Sequence, residues 1–83
     1  MRTSLISVVI PTLNEESRIE RVLSELLADA TAPFETIISD GGSTDATVST
    51  ARRLGAVVIS GRPGRGLQLS AGGTEAAGDV IWF

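Results

Sequence analysis

Four short apolar runs, Leu5–Ile10, Phe34–Ser39, Ala56–Ser60 and Asp79–Phe83, alternate with three segments of helical periodicity. The runs are β-branched and read as continuously apolar rather than alternating. That pattern specifies strands buried on both faces. Strand and helix in strict alternation specify a doubly wound α/β domain with a parallel sheet and right-handed crossovers. The expected strand order is 3-2-1-4, with a switch point between the first and fourth strands. The sequence stops inside or just after the fourth strand, so a truncated half of a Rossmann-like sheet is expected.

The punctuation supports this reading. Pro11 is expected to end the first strand, and Asn14 to cap the first helix with Glu15 and Glu16 in its first turn. Ile19, Val22, Leu23, Leu26 and Leu27 then form one apolar stripe. Thr31-Ala32-Pro33 breaks that helix. Ser43 or Thr44 caps a second helix carrying Val48, Ala51 and Leu54, and Gly55 stops it. Gly61–Gly66 reads as a Gly/Arg loop. Leu67–Ala77 reads as a third helix, whose Ala71-Gly72-Gly73 face lets it approach the sheet closely; Gly78 ends it.

Bulk properties narrow the function. Eighty-three residues make one small domain, burying only ~60–65% of its unfolded surface. Apolar content of 42% excludes disorder. A net charge of -3 gives no case for nucleic acid. All seven basic residues are Arg, which suits phosphate forks and equally suits a GC-rich genome. The absence of Cys and His removes disulfides, thiol chemistry and the commonest general base. Leu5–Leu13 runs into Asn14-Glu15-Glu16 without a small-residue cleavage site, so no signal peptide is expected. No apolar run nears the ~18 residues that span a bilayer. A cytoplasmic protein without membrane contact in this segment is expected.

Three turns carry candidate chemistry. At Pro11-Thr12-Leu13-Asn14-Glu15, a planar base could lie against the strand end and bond to the Thr12 or Leu13 main chain, with Glu15 reaching a ribose hydroxyl. The same residues also make an ordinary capped strand-to-helix turn. Asp40 either accepts a hydrogen bond from a base or ribose, or closes an Asx turn on its own backbone. Gly41 and Gly42 allow the turn and close approach, while Asp45 reads as support for its helix start. In Gly61-Arg62-Pro63-Gly64-Arg65-Gly66, the arginines could fork onto phosphate, or the loop is simply solvated. Gln68 could orient either that loop or a ligand. The loop is neither a P-loop nor a dinucleotide fingerprint. Paired acids of the receiver type are not evident after the first strand.

Four blocks in order and in register resemble the N-terminal part of family 2 glycosyltransferases of GT-A fold. They are Ser7-Val8-Val9-Ile10-Pro11-Thr12-Leu13-Asn14-Glu15, Asp40-Gly41-Gly42-Ser43-Thr44-Asp45, Gly64-Arg65-Gly66-x-Gln68-x-Ser70-x-Gly72, and Gly78-Asp79-Val80-Ile81-Trp82-Phe83. The second and third blocks look most like a bacterial subgroup called "transferase 2, radical-SAM/selenodomain-associated". Ser70 departs from the Asn that many relatives carry.

The resemblance implies residues 1–83 as the nucleotide-sugar-binding half of a sugar-transfer domain. It implies Pro11, Thr12, Leu13 and Glu15 at the nucleoside, Asp40 at its base, Gly41 among the nucleotide-binding residues, and Arg65 near ribose or phosphates. It also implies Mg²⁺ or Mn²⁺ on an Asp-x-Asp-type motif expected a few residues beyond Phe83, with the catalytic base further on. On that expectation the segment holds neither catalytic nor metal residues, binds a nucleotide-sugar donor weakly and is inactive alone. The alternative is a non-catalytic nucleotide-binding or self-assembling α/β module. An exposed fourth-strand edge would pair with a second copy, giving a homo-oligomer.

Overall fold

The computed structural model describes residues 5–28 and 34–82. Four parallel strands, β1 (Ile6–Thr12), β2 (Phe34–Asp40), β3 (Val57–Ser60) and β4 (Asp79–Trp82), lie in the order β3-β2-β1-β4. Helices α1 (Glu16–Ala28), α2 (Thr47–Arg53) and α3 (Arg65–Glu75) connect them. This is the expected doubly wound order. The sheet grows one way through β2 to β3, then returns past β1 to β4. With right-handed crossovers that reversal puts α1 and α2 on one face and α3 on the other.

The two faces bury differently. Val8, Ile10 and Ile38 join Ile19 and Leu23 of α1 and Ala51 of α2 in one buried cluster. Val9 lies on the opposite face, where its methyl would meet a Cβ built on Gly72 of α3 at 2.2 Å. The small-residue face is therefore packing, as its composition suggests. Full burial of Val9, Ile37 and Ile38 stabilises by about 1.5–3 kcal/mol each. The outer strands are less covered than continuous apolarity implies: Val57, Ile81 and Trp82 are exposed. Leu27, expected in the α1 stripe, is 54% exposed.

Several local expectations need correction. Pro11 does not end β1, which continues to Thr12. Leu5 O accepts from Asp79 N and Thr12 O from Gly41 N, so odd-numbered residues of β1 face β4 and even-numbered ones face β2. Pro11 thus turns its missing N–H toward β4, past the last described pair, Val9 with Trp82. Proline is tolerated in a strand at such a place. Arg65 opens α3 rather than lying in the loop, and α3 ends at Glu75, with Ala76 already extended. At α2, Gly55 has φ 89°, and its N–H reaches Arg52 O while Ala56 N–H reaches Ala51 O. That is the Schellman stop expected of this glycine. The Thr31-Ala32-Pro33 break lies outside the described residues.

At the far end of the sheet, Ser7 Oγ donates to Glu35 Oε2 at 2.6 Å and accepts from Gly78 N at 2.9 Å. Ala77 N also donates to Glu35 Oε2, at 2.7 Å. This latch seats the turn between α3 and β4, where a Cβ on Gly78 would meet Leu5 O at 2.3 Å.

Candidate functional site

The C-terminal ends of β1 and β2 lie in register, Thr12 beside Asp40. Asp40 is 2% exposed. Its Oδ1 accepts the hydroxyls of Thr12 (2.7 Å) and Ser43 (2.6 Å), and its Oδ2 accepts the amides of Gly42 (3.0 Å) and Ser43 (2.7 Å). Burial pushes this carboxyl up, but the hydroxyl and amide of Ser43, then Thr12 and Gly42, outweigh it and hold it below the usual range. Four donors fill the roughly four acceptor positions of a carboxylate. The Asx turn is therefore present. A ligand N–H could reach Asp40 only where a hydroxyl rotor, Thr12 or Ser43, turns away.

The start of α1 is built from the second loop. Asn14 does not cap α1: it sits at φ 53°, and its Oδ1 accepts from Thr44 N at 2.8 Å. Instead Ser43 Oγ accepts from Asn14 N (2.8 Å), Thr47 Oγ1 from Glu15 N (2.8 Å) and Asp45 Oδ2 from Glu16 N (3.2 Å). Asp45 also takes the amide and hydroxyl of Thr47. So α2 is supported by Asp45 rather than by Ser43 or Thr44. A helix start that normally attracts anions is here occupied by the protein's own oxygens.

A cavity of about 320 Å³ opens beside this junction, lined by Ile10, Pro11, Thr12, Glu15, Arg18, Ile19, Val22 and Arg65. It falls in the size range of small-molecule sites. The strand end and α1 give it an apolar wall, and Glu15 and Arg65 supply charge. Arg18 stands 3.7 Å from Glu15, an exposed pair of little energetic weight. A second hollow, of about 260 Å³, includes Asp40, Arg62, Leu67 and Gln68.

Pro11, Thr12, Glu15 and Arg65 thus share one cavity, and Asp40 is tied to it through Thr12. Leu13 is exposed and lines neither space. Gly41 donates to Thr12 O at 2.9 Å, and a Cβ there would meet Gln68 Oε1 at 2.9 Å and Pro63 Cα at 3.0 Å. Its missing side chain makes room for protein. Gly42 is the member of the pair with positive φ, 103°.

Arg18 escaped the sequence reading. Its signal was its place three residues after Glu15, hence on the same helix face. Gln68 proves to orient the loop. It is 7% exposed; its Nε2 donates to Thr12 O (2.9 Å) and Ser39 O (2.8 Å), and its Oε1 accepts from Gly64 N (3.0 Å).

Among the described residues no three His, Cys, Asp or Glu side chains converge, and Asp40 and Asp45 spend their oxygens internally. This donor set does not fit a Mg²⁺ or Mn²⁺ centre. No described helix is long and apolar enough to cross a membrane.

The same architecture recurs in known proteins. Glucosyl-3-phosphoglycerate synthase of Mycobacterium tuberculosis is 39% identical over 89 residues, covering 94% of this chain and 27% of that enzyme. Its crystal structure with Mn²⁺, uridine diphosphate and glucosyl-3-phosphoglycerate superposes with a TM-score of 0.83 at 36% identity, over 96% of this chain and 33% of that one. Validoxylamine A glucosyltransferase of Streptomyces hygroscopicus is 48% identical over 50 residues, 58% of this chain and 11% of that enzyme. The chain thus spans about a third or less of these relatives. The profile described as "Glycosyl transferase family 2" matches residues 7–83. With the strand order and rim described above, that match makes this chain a member of glycosyl transferase family 2.

Proposed function

We propose that residues 1–83 form the donor-nucleotide half of a GT-A glycosyltransferase domain, gripping the nucleotide of a nucleotide-sugar for transfer to an acceptor. The observation that carries this is the convergence of Pro11, Thr12, Glu15 and Arg65 on one cavity at the C-terminal rim of the sheet. That rim is where open α/β sheets bind ligands. A planar base lies against the apolar wall, bonding to the main chain near Leu13. Thr12 O is already taken by Gly41 N and Gln68 Nε2. Glu15 accepts a ribose hydroxyl. Asp40 meets the base edge by exchanging one of its hydroxyl donors, and Gly41 leaves room for the Gln68 amide behind it.

The phosphates belong at the start of α3. The α1 start is filled by Ser43, Thr47 and Asp45, whereas Gly64, the N-cap of α3, offers no side-chain cap, and Arg65 stands in the first turn. The uridine diphosphate and manganese in the relative's structure support a uridine diphosphate sugar as donor and Mg²⁺ or Mn²⁺ for the whole enzyme. The metal would rest on residues outside the described elements. Among the described residues there is no metal cluster, and we expect these residues to hold nucleotide weakly and turn nothing over. We assign the activity to the cytoplasm.

Calorimetry with uridine and guanosine diphosphates tests the reading. Saturable binding of either, weakened about tenfold in Arg65→Ala, supports it. Heats indistinguishable from dilution for both, at millimolar nucleotide, would refute it.

A second property rests on β4. Ile81 and Trp82 are about half exposed on this outer strand, and such an edge favours pairing with another copy. A homo-oligomer is expected, and light scattering that gives one protomer mass across a broad concentration range would exclude it.

A further inference from the structure

We infer that Gln68 is a positioning residue that sets Arg65 at its distance from the nucleoside wall; this rests on the nucleotide reading of the cavity. One side-chain amide joins three rim segments. Nε2 donates to carbonyls at the C-terminal ends of two neighbouring strands, Thr12 O and Ser39 O, and Oε1 accepts the amide of Gly64, the N-cap of α3. The main-chain N–H of Gln68 returns to Gly64 O at 2.8 Å. The first turn of α3 is thereby fastened to the strand ends at both edges of the amide. Arg65 lies within that turn, one residue past Gly64.

Each element of the joint is specific. Thr12 O already takes Gly41 N, and Gln68 Nε2 supplies a further donor to this carbonyl and to Ser39 O, using the second lone pair that a carbonyl oxygen offers. A side chain with two N–H groups and one acceptor on the same plane serves all three partners at once. Ser, Thr or Asn would be too short from this backbone. Glu, ionised, would set oxygen against oxygen. Gly41 completes the joint, since a Cβ there would come within 2.9 Å of Gln68 Oε1 and displace it. The amide contributes nothing to the lining of the nucleoside cavity itself, so it acts on ligand only through what it holds.

The test is a double-mutant cycle on uridine diphosphate affinity, using Gln68→Met, Arg65→Ala and the pair. Met preserves shape and removes all three side-chain hydrogen bonds. Gln68→Asn, which keeps an amide but shortens its reach, replaces Met if that variant fails to fold. Each single change should weaken binding about tenfold. In the Gln68→Met background, Arg65→Ala should cost less than about threefold, because the guanidinium is already misplaced. Coupling of that size is expected only between residues acting together. A purely structural glutamine would lower the melting temperature yet leave the Arg65 effect at its full tenfold, and that result overturns the assignment while leaving the nucleotide site standing. No binding by the wild-type chain would instead overturn both.

Discussion

Thr12 donates its hydroxyl to Asp40 at 2.7 Å across 28 residues of sequence, joining the ends of the two central strands. The bond is buried, and Asp40 satisfies three further donors from the turn that follows it. This carboxylate is therefore the point at which fold and site meet.

Replacing Asp40 by Ala leaves the amides of Gly42 and Ser43 and two hydroxyls without their acceptor. The expected cost is about 2–4 kcal/mol of stability, read from urea midpoints. Asp40→Asn keeps the shape but turns N–H groups toward donors on one side, and should cost about 1–3 kcal/mol. Midpoints within error of wild type for both would contradict the network.

The pH response follows in sign. Hydrogen bonds hold Asp40, Asp45 and Glu35 below their ordinary values: for Glu35 chiefly the Ser7 hydroxyl, for Asp45 chiefly the Thr47 hydroxyl, and for Asp40, where burial pushes upward, the Ser43, Thr12 and Gly42 donors that together outweigh it. A depressed folded pKa means that the unfolded chain takes up protons first as pH falls. Stability from these groups is then whole above about pH 5 and lost as pH drops below the unfolded values of about 4. Thermal melts at pH 6, 4.5 and 3 should show the drop concentrated below 4.5, with a shallower slope in Asp40→Asn.

Two glycines of α3 make opposite predictions. Gly72→Ala drives a methyl into Val9 and should cost about 1–3 kcal/mol. Gly66 has open space around it, so Gly66→Ala should be neutral or gain up to about 1 kcal/mol from helix propensity. Equal melting temperatures for the two variants would show that α3 does not seat on β1 as described.

Arg65→Ala should weaken uridine diphosphate about tenfold and uridine hardly at all, since the guanidinium addresses phosphate. Raising salt should narrow the gap. Equal losses for nucleotide and nucleoside, measured by titration calorimetry, would move Arg65 to the base or ribose.

Much of the architecture was legible because it depends on near-neighbour signals. The alternation of apolar runs with helical segments pointed to the strand order, and Gly55 to the end of α2. The errors arose where a residue's partner is distant in sequence. Asn14 has the composition of a cap, yet the caps of α1 come from Ser43, Asp45 and Thr47, and no local window contains both. Pro11 looked like a terminator because the sequence does not say which neighbour each N–H of a strand faces. The candidate residues fared in the same way. Pro11, Thr12 and Glu15 were named from one turn and Arg65 from another, and only the sheet shows that they share a cavity. Leu13 and Gly41 lie outside its lining, because one points to solvent and the other makes room for Gln68.

The borrowed caps of α1 bind two parts of the chain into a single folding event. The first turn of this helix cannot mature on its own, since its oxygen partners arrive with a loop 29 to 32 residues later. Glu15 and Glu16 should then exchange their amide hydrogens with the same opening free energy as Gly42 and Ser43, as one cooperative unit rather than as a fraying helix end.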